Sequence, residues 1–269
     1  MDSPIQELTE RQQREREFYS QYSQEHRHEE VNFDPVQGDE SRPWNSYWRL
    51  YEVVQGAYRD PSQRLLDFGC GLGTASMCHA RIGYRVSGFD LCEENIVECR
   101  RKAEQYGVAD RTDFSLQAAE ALGYPDDSFD VVAGFDILHH VEVDAALTET
   151  RRVLKPGGIA VFREFVEVPM FDALRNSTLG TWLVPNQPSL ADHRTEDEEK
   201  LTREQLKIIE AVFPDFEMIR FNLLSRLNKF LPNPHPDRPS RIEMLDQTIF
   251  RWLPATRTLG GDVVMVLRK

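Results

Sequence analysis

From residue 64 to residue 165 short apolar runs alternate with longer amphipathic segments. Arg64-Leu65-Leu66-Asp67-Phe68 reads as a buried strand ending at glycines, and residues 72–82 as a helix. A second strand, 85–89, ends at Asp90, and a helix over 93–106 is stopped by Gly107. Thr112 to Leu116 and Phe129 to Phe135 are the third and fourth strands. The helix over 144–154 is stopped by Lys155-Pro156-Gly157-Gly158, and 159–165 is a fifth strand. Strands alternating with helices predict βαβ units, a parallel sheet and right-handed crossovers.

The flanks are less regular. The first thirty residues read as a charged amphipathic helix, with Ile5, Leu8, Tyr19 and Tyr22 near one face and Phe18 beside it. Pro35, Gly38 and Pro43 predict a loop over 32–43, and Tyr47, Trp48, Tyr51 and Val54 a helix over 45–58. Beyond residue 168 bulky apolar residues such as Phe171 and Trp182 lie among prolines, followed by the acidic run Glu196 to Glu199. Residues 202–213 read as a helix whose Thr202 and Gln205 fit a capping box. Strands are expected over 216–224 and 262–267, and a helix over 242–252. No internal repeat or long linker divides the chain, so it is expected to be one domain over 1–269. That domain has a helical cap (1–58), a core (60–165) and insertions at 166–200 and 225–261.

Composition narrows the function classes. The 32 Lys and Arg against 45 Asp and Glu give a net charge of -13, which argues against a nucleic-acid binder. No apolar run approaches the roughly 18 residues of a membrane span. The polar N-terminus is no secretory signal. Cys70, Cys78, Cys92 and Cys99 form no CxxC pair and suit a reducing cytoplasm. No Cys or His cluster has metal-ligand spacing; His26 and His28 lie only two apart, so no metal is expected.

The chemistry gathers at Leu65-Leu66-Asp67-Phe68-Gly69-Cys70-Gly71-Leu72-Gly73-Thr74, where a strand runs through glycines into a helix. Glycines there permit a tight turn and let a ligand approach the amides without meeting a Cβ. Asp90, at the end of the next strand, can accept bonds from both hydroxyls of a ribose. The glycines read GxGxG rather than the dinucleotide GxGxxG, and no GxxxxGK[ST] is present. Asp67, ahead of the first glycine, suits a ligand ammonium better than a pyrophosphate.

Four further stretches keep company with that turn: Ala119-Glu120-Ala121-Leu122, Pro125 to Val132, Leu138-His139-His140-Val141, and Arg151-Arg152-Val153-Leu154-Lys155-Pro156-Gly157-Gly158. In this order, each at a strand end, the set resembles a class I S-adenosylmethionine (SAM)-dependent methyltransferase of the small-molecule type. The resemblance covers about residues 60–165. It implies a Rossmann-like, seven-stranded, mostly parallel sheet with an antiparallel last strand and helices on both faces. It implies that Gly69, Cys70, Gly71 and Gly73 wrap the methionine part of SAM, with Asp67 near its ammonium. Asp90 would hold the ribose, Leu91 would pack on adenine, and Ala118, Ala119 and Glu120 would read the adenine edge. Relatives often carry Asp where this chain has Ala118. Phe135 would offer its carbonyl to the ammonium group, and Tyr22 with Tyr19 would close over the cofactor as a lid.

An amine or hydroxyl acceptor must lose a proton during methyl transfer, so His139, His140 and Asp136 are the candidate bases. Glu164 and His193 rank behind them. For each a plainer reading stands: a histidine that packs or caps, a Glu164 that pairs with a neighbouring arginine, tyrosines that only fix a helix. The expected reaction is methyl transfer to a small or lipid-like acceptor. The alternatives are a non-catalytic SAM-binding subunit or scaffold, and an RNA or protein methyltransferase. Oligomeric state is open; a dimer is compatible with the sequence.

Overall fold

In the computed structural model of the protein, residues 8–38, 41–168, 200–225 and 238–269 are described. Seven strands form one sheet: β1 (Arg64–Phe68), β2 (Arg85–Asp90), β3 (Thr112–Leu116), β4 (Phe129–Phe135), β5 (Leu154–Phe165), β6 (Asp215–Phe221) and β7 (Asp262–Arg268). Their order is β3-β2-β1-β4-β5-β7-β6. β1 to β5 pair in parallel, and β7 runs antiparallel between β5 and β6. This is the expected α/β architecture, with the last strand reversed.

Because helices cover both faces, central strands are apolar on both sides. Leu66, Phe68, Val132, Phe162 and Met265 build one core. Their neighbours Leu65, Val131, Ala133, Val161 and Val264 build the other. The helices in chain order are α1 (Glu10–His26), α2 (Asp34–Gln37), α3 (Ser46–Ala57), α4 (Thr74–Ile82), α5 (Glu93–Gln105), α6 (Val143–Val153), α7 (Arg203–Val212) and α8 (Arg241–Trp252). The capping box of α7 forms as expected between Thr202 and Gln205.

Three expectations change. The expected loop at 32–43 contains the one-turn helix α2, because Pro35 falls at its start, where a missing N–H costs nothing. α6 ends before Lys155 as expected, but the fifth strand, expected from residue 159, already includes the Lys155 to Gly158 run. The strand absorbs it through a register shift against β4, with Gly157 at φ +76° and its N–H bonded to the Lys269 carbonyl. α1 also departs from the expected apolar face: its buried residues are Glu15 and Ser23. It docks through hydrogen bonds instead, as described below. Ile5, Phe171, Trp182, His193 and the Glu196 to Glu199 run lie outside the described residues.

Chain direction along the sheet reverses between β1 and β4: β2 and β3 extend from one side, β5 from the other. Ligands bind at such a switch point, outside the carboxyl ends of the strands. The loops after β1 and β4 both open there.

Candidate active site

The β1–α4 loop is shaped by three left-handed glycines, Gly69, Gly71 and Gly73, at φ +73°, +48° and +80°. Two are closed in by neighbours: a Cβ on Gly69 would meet Ile137 at 2.6 Å, and one on Gly73 would meet Cys99 Sγ at 2.8 Å. A Cβ on Gly71 would meet nothing within 4 Å. The middle glycine therefore faces a cradle that a side chain would fill and a ligand can use. Cys70 lies beneath, its Sγ 3.7 Å from that of Cys99, which donates to the Gly71 carbonyl.

Asp90 anchors the cradle. Its Oδ2 accepts from Gly71 N–H, and its Oδ1 accepts from Cys92 N–H and Asn95 Nδ2. Burial raises its pKa, and these donors, with the Leu91 amide, oppose the rise. Leu91 is half-buried beside it. Asp67, inside β1, is buried and accepts from Ser76 Oγ. Burial, with a smaller push from Asp90, lifts its pKa to about 7. In the segment expected to face adenine, Ala119 is buried, Ala118 bridges to Ala121, and Glu120 accepts from Gln12 Nε2 and Glu142 N–H.

The β4 end carries the proposed bases. Asp136 is left-handed at φ +50°, an uncommon conformation for a non-glycine residue that marks a site where the surroundings dictate the backbone. Its carboxylate accepts from Tyr47 OH at 2.7 Å and pairs with Arg163. Arg163 is 2 % exposed and also pairs with Asp262. Burial works against its charge, but the Asp262 and Asp136 carboxylates hold it firmly protonated. The rings of Tyr47 and Phe165 pack over its guanidinium at 4.4 and 3.9 Å. Phe135 stacks parallel on Tyr47.

His139 and His140 are both buried, with ring centroids 4.1 Å apart. Each meets a carboxylate. His139 Nδ1 lies 2.7 Å from Glu164 Oε2, while Glu164 Oε1 accepts from the N–H groups of Ile137 and Leu138. Glu164 thus does not pair with the neighbouring arginine. Adjacent strand residues point to opposite faces, so Arg163 turns to α3 and Glu164 to the β4–α6 loop. His140 Nδ1 lies 3.0 Å from Glu15 Oε2, and its Nε2 bonds Tyr19 OH.

Glu15 and Tyr19 belong to α1, which spans the site from above. Arg11 donates to the His139 carbonyl, Gln12 reaches Glu120, and Ser23 bonds Asn95, the same residue that supports Asp90. Tyr22 stacks on His26, with ring centroids 3.9 Å apart. Tyr19, one turn before it, is the tyrosine of α1 that bonds His140.

Sequence reasoning missed Tyr47, Arg163, Asp262 and Glu15. A signal existed for Arg163 and Glu164: two adjacent charges inside an apolar strand covered on both faces are costly unless each is paired.

The comparisons with known proteins bear on the domain and its fold. A domain family described as "Methyltransferase domain" matches residues 66–162. A ubiquinone biosynthesis O-methyltransferase of Cereibacter sphaeroides is 42% identical over 99 residues, 36% of this chain and 39% of that protein. The Sinorhizobium medicae protein of the same name is 38% identical over 135 residues, 47% of this chain and 50% of that protein. The aligned stretch is thus half or less of the length of these curated relatives. Among solved structures, geranyl diphosphate C-methyltransferase from Streptomyces coelicolor has a TM-score of 0.58 at 15% identity, covering 97% of this chain and 98% of that one. The cyclase SpnF has a TM-score of 0.53 at 23% identity, covering 87% and 84%. At such identities these likenesses show the fold alone. Among the described residues no group of His, Cys, Asp or Glu could hold a metal, and no helix is long and apolar enough to cross a membrane. Over residues 66–162 the chain thus matches the methyltransferase-domain family.

Proposed function

We propose that the chain transfers a methyl group from SAM to a small-molecule acceptor, acting as one domain over 1–269 in the cytoplasm. The observation that carries this is the open cradle at Gly71 fastened to the Asp90 carboxylate. The aligned relatives, named as O-methyltransferases, support an oxygen acceptor. When bound, SAM supplies a methyl on a sulfonium, which leaves by in-line displacement.

The chain's own residues bind, orient and move a proton. Gly69, Cys70, Gly71 and Gly73 line the methionine side, with the Phe135 carbonyl opposite. Asp90 holds the ribose, and Leu91, Ala118, Ala119 and Glu120 border the adenine. His139 is the base: Glu164 keeps the proton on Nδ1, which leaves Nε2 as the nitrogen that accepts one. Asp136 is fastened by Arg163 and Tyr47, so it shapes the mouth and is not the base. His140 holds α1 through Glu15 and Tyr19. Alignment of the reacting atoms supplies most of the acceleration.

Calorimetry with S-adenosylhomocysteine, followed by incubation with labelled SAM and a metabolite extract, tests the reading. Micromolar binding and label in a small-molecule fraction are expected. Binding without label in any fraction would favour a scaffold, and label in RNA or protein would redirect the acceptor class.

A second result follows from Asp67. With its pKa near 7, about half of the groups carry a proton at neutral pH. A cationic ligand favours the ionised form, so SAM binding at pH 7 should release a fraction of a proton and tighten as pH rises from 6 to 8. Calorimetry in buffers of different ionisation enthalpy reads that proton. Asp67→Asn should abolish the release; an unchanged release would assign it elsewhere. Without ligand the sign for stability is opposite. A raised carboxyl pKa contributes stability fully below its unfolded value near 4, and this is lost as pH rises through about 7.

A further inference from the structure

Large apolar side chains are exposed together on one element of the described structure, α8 and the residue that follows it. They are Met244, Leu245, Trp252 and Leu253, and Trp252 is 75 % exposed. Single exposed apolar residues need no explanation, but a contiguous group does. At 3.6 residues per turn, Arg241, Met244, Leu245, Thr248, Arg251 and Trp252 share an arc of about 120°. The buried residues of α8, Asp246 and Phe250, lie on the opposite side. That inner side closes a cavity of about 260 Å³ against β6, Pro43 and Trp44. The outer side faces solvent.

The charge of this stretch departs from that of the chain. Arg238, Arg241, Arg251 and Arg257 are all exposed. The acids between them are spent on the fold. Asp246 is buried and accepts from the N–H groups of Leu223, Leu224 and Ser225 and from the Ser225 hydroxyl, and Glu243 accepts from Ser240 N–H in the cap of α8. A chain with 45 Asp and Glu against 32 Lys and Arg thus carries a cationic, apolar island here. The excess of negative charge elsewhere is screened beyond about 8–10 Å at ordinary salt. The island also has a definite place. Leu223 to Ser225 follow β6, whose last residue Phe221 pairs with Asp262, and Asp262 pairs on its other side with Phe165 at the end of β5. α8 is therefore held at the sheet edge where β5 ends, the edge at which the exposed rings of Tyr47 and Phe165 flank Arg163.

We propose that the outer face of α8 docks on an anionic lipid bilayer, with Met244, Leu245, Trp252 and Leu253 sunk among the headgroups and the arginines against lipid phosphates. Tryptophan and arginine on an apolar helix face suit the bilayer interface, where the apolar side enters by about 5–10 Å. A second copy of the chain fits less well, because it would set arginines against arginines. A stable protein interface also draws on roughly 20–30 residues a side, more than this short face offers. The docking does not depend on the reaction that the chain performs.

The test sediments the full chain with vesicles of phosphatidylcholine alone and with vesicles in which roughly one lipid in three is phosphatidylglycerol. The anionic vesicles should bind at least about tenfold more tightly, and the difference should shrink as salt is raised. Arg241→Gln and Arg251→Gln should each weaken binding about fivefold at low salt, the share of one arginine at an anionic surface. Trp252→Ser combined with Leu253→Ser should remove it at unchanged Tm and S-adenosylhomocysteine affinity, since both side chains are exposed. Val97→Ser, at an exposed position on α5, should leave it unchanged. No binding to anionic vesicles, equal binding to both kinds, or binding that survives the Trp252 and Leu253 substitutions would overturn the proposal. Sedimentation velocity without lipid reads the other occupant: a dimer that dissociates on Trp252→Ser would overturn it in favour of a second copy of the chain.

Discussion

Asp90→Ala should lower the affinity for S-adenosylhomocysteine by at least about 100-fold. A carboxylate that accepts two hydroxyl bonds contributes about 1.5–3 kcal/mol for each, and 1.4 kcal/mol is tenfold. The same substitution frees the Gly71, Leu91 and Cys92 amides, so the cradle also loses its fastening. The fold should persist, because burial already works against the Asp90 charge. A drop in Tm of about 5 °C is expected for one or two kcal/mol in a chain this size. A folded Asp90→Ala protein that binds within threefold of the wild type would remove Asp90 from the site and, with it, the main support for the cofactor reading.

The second large effect concerns Glu164. It is fully buried and receives three donors, from Ile137, Leu138 and His139. Glu164→Ala leaves all three unpaired, at a cost of about 3–5 kcal/mol. Chemical denaturation should show that loss; a change below about 1 kcal/mol would mean that water or a shifted loop replaces the carboxylate. Glu164→Gln separates position from chemistry. Its amide oxygen still accepts from the two backbone N–H groups, but its NH2 faces His139 Nδ1 and favours the tautomer with the proton on Nε2. The nitrogen that should accept the acceptor's proton is then occupied. Methyl transfer should fall by about 100-fold or more at unchanged S-adenosylhomocysteine affinity. The tautomer can be read from His139 ring-nitrogen chemical shifts. Wild-type turnover in a variant with the switched tautomer would exclude His139 as the base.

The central sheet was legible because its information is local. The residues that bury each strand are consecutive, as in Leu65-Leu66 and Val131-Val132-Ala133, and each ends at a glycine or acid that the next loop needs. The cradle was legible for the same reason: Gly69 to Gly73 and Asp90 sit at fixed offsets from strand ends. The β4 mouth was legible only in part. Asp136, His139 and His140 follow a strand and could be named. What occupies each of them could not, because the partners come from elsewhere: Glu15 and Tyr19 from α1, Tyr47 from α3, Arg163 and Glu164 from β5. Two of those contacts bear on the proposed role of Asp136, since Arg163 and Tyr47 already occupy the carboxylate named as a candidate base. The cavity under α8 was illegible, for it exists only where β6, α8 and Trp44 converge.

The polar underside of α1 has a consequence for how firmly it is held. A cover held by an apolar face loses buried hydrocarbon on opening, a cost proportional to area. α1 instead gives up hydrogen bonds to Asn95, His140, Glu120 and the His139 carbonyl, each of which water replaces at once. At about 0.5–1.5 kcal/mol net for each bond, the seat of α1 is a matter of a few directional contacts rather than of buried area. Its strength therefore depends on where Asn95 and His140 stand: a substitution that displaces either one weakens the hold on α1 without touching the apolar core of the sheet.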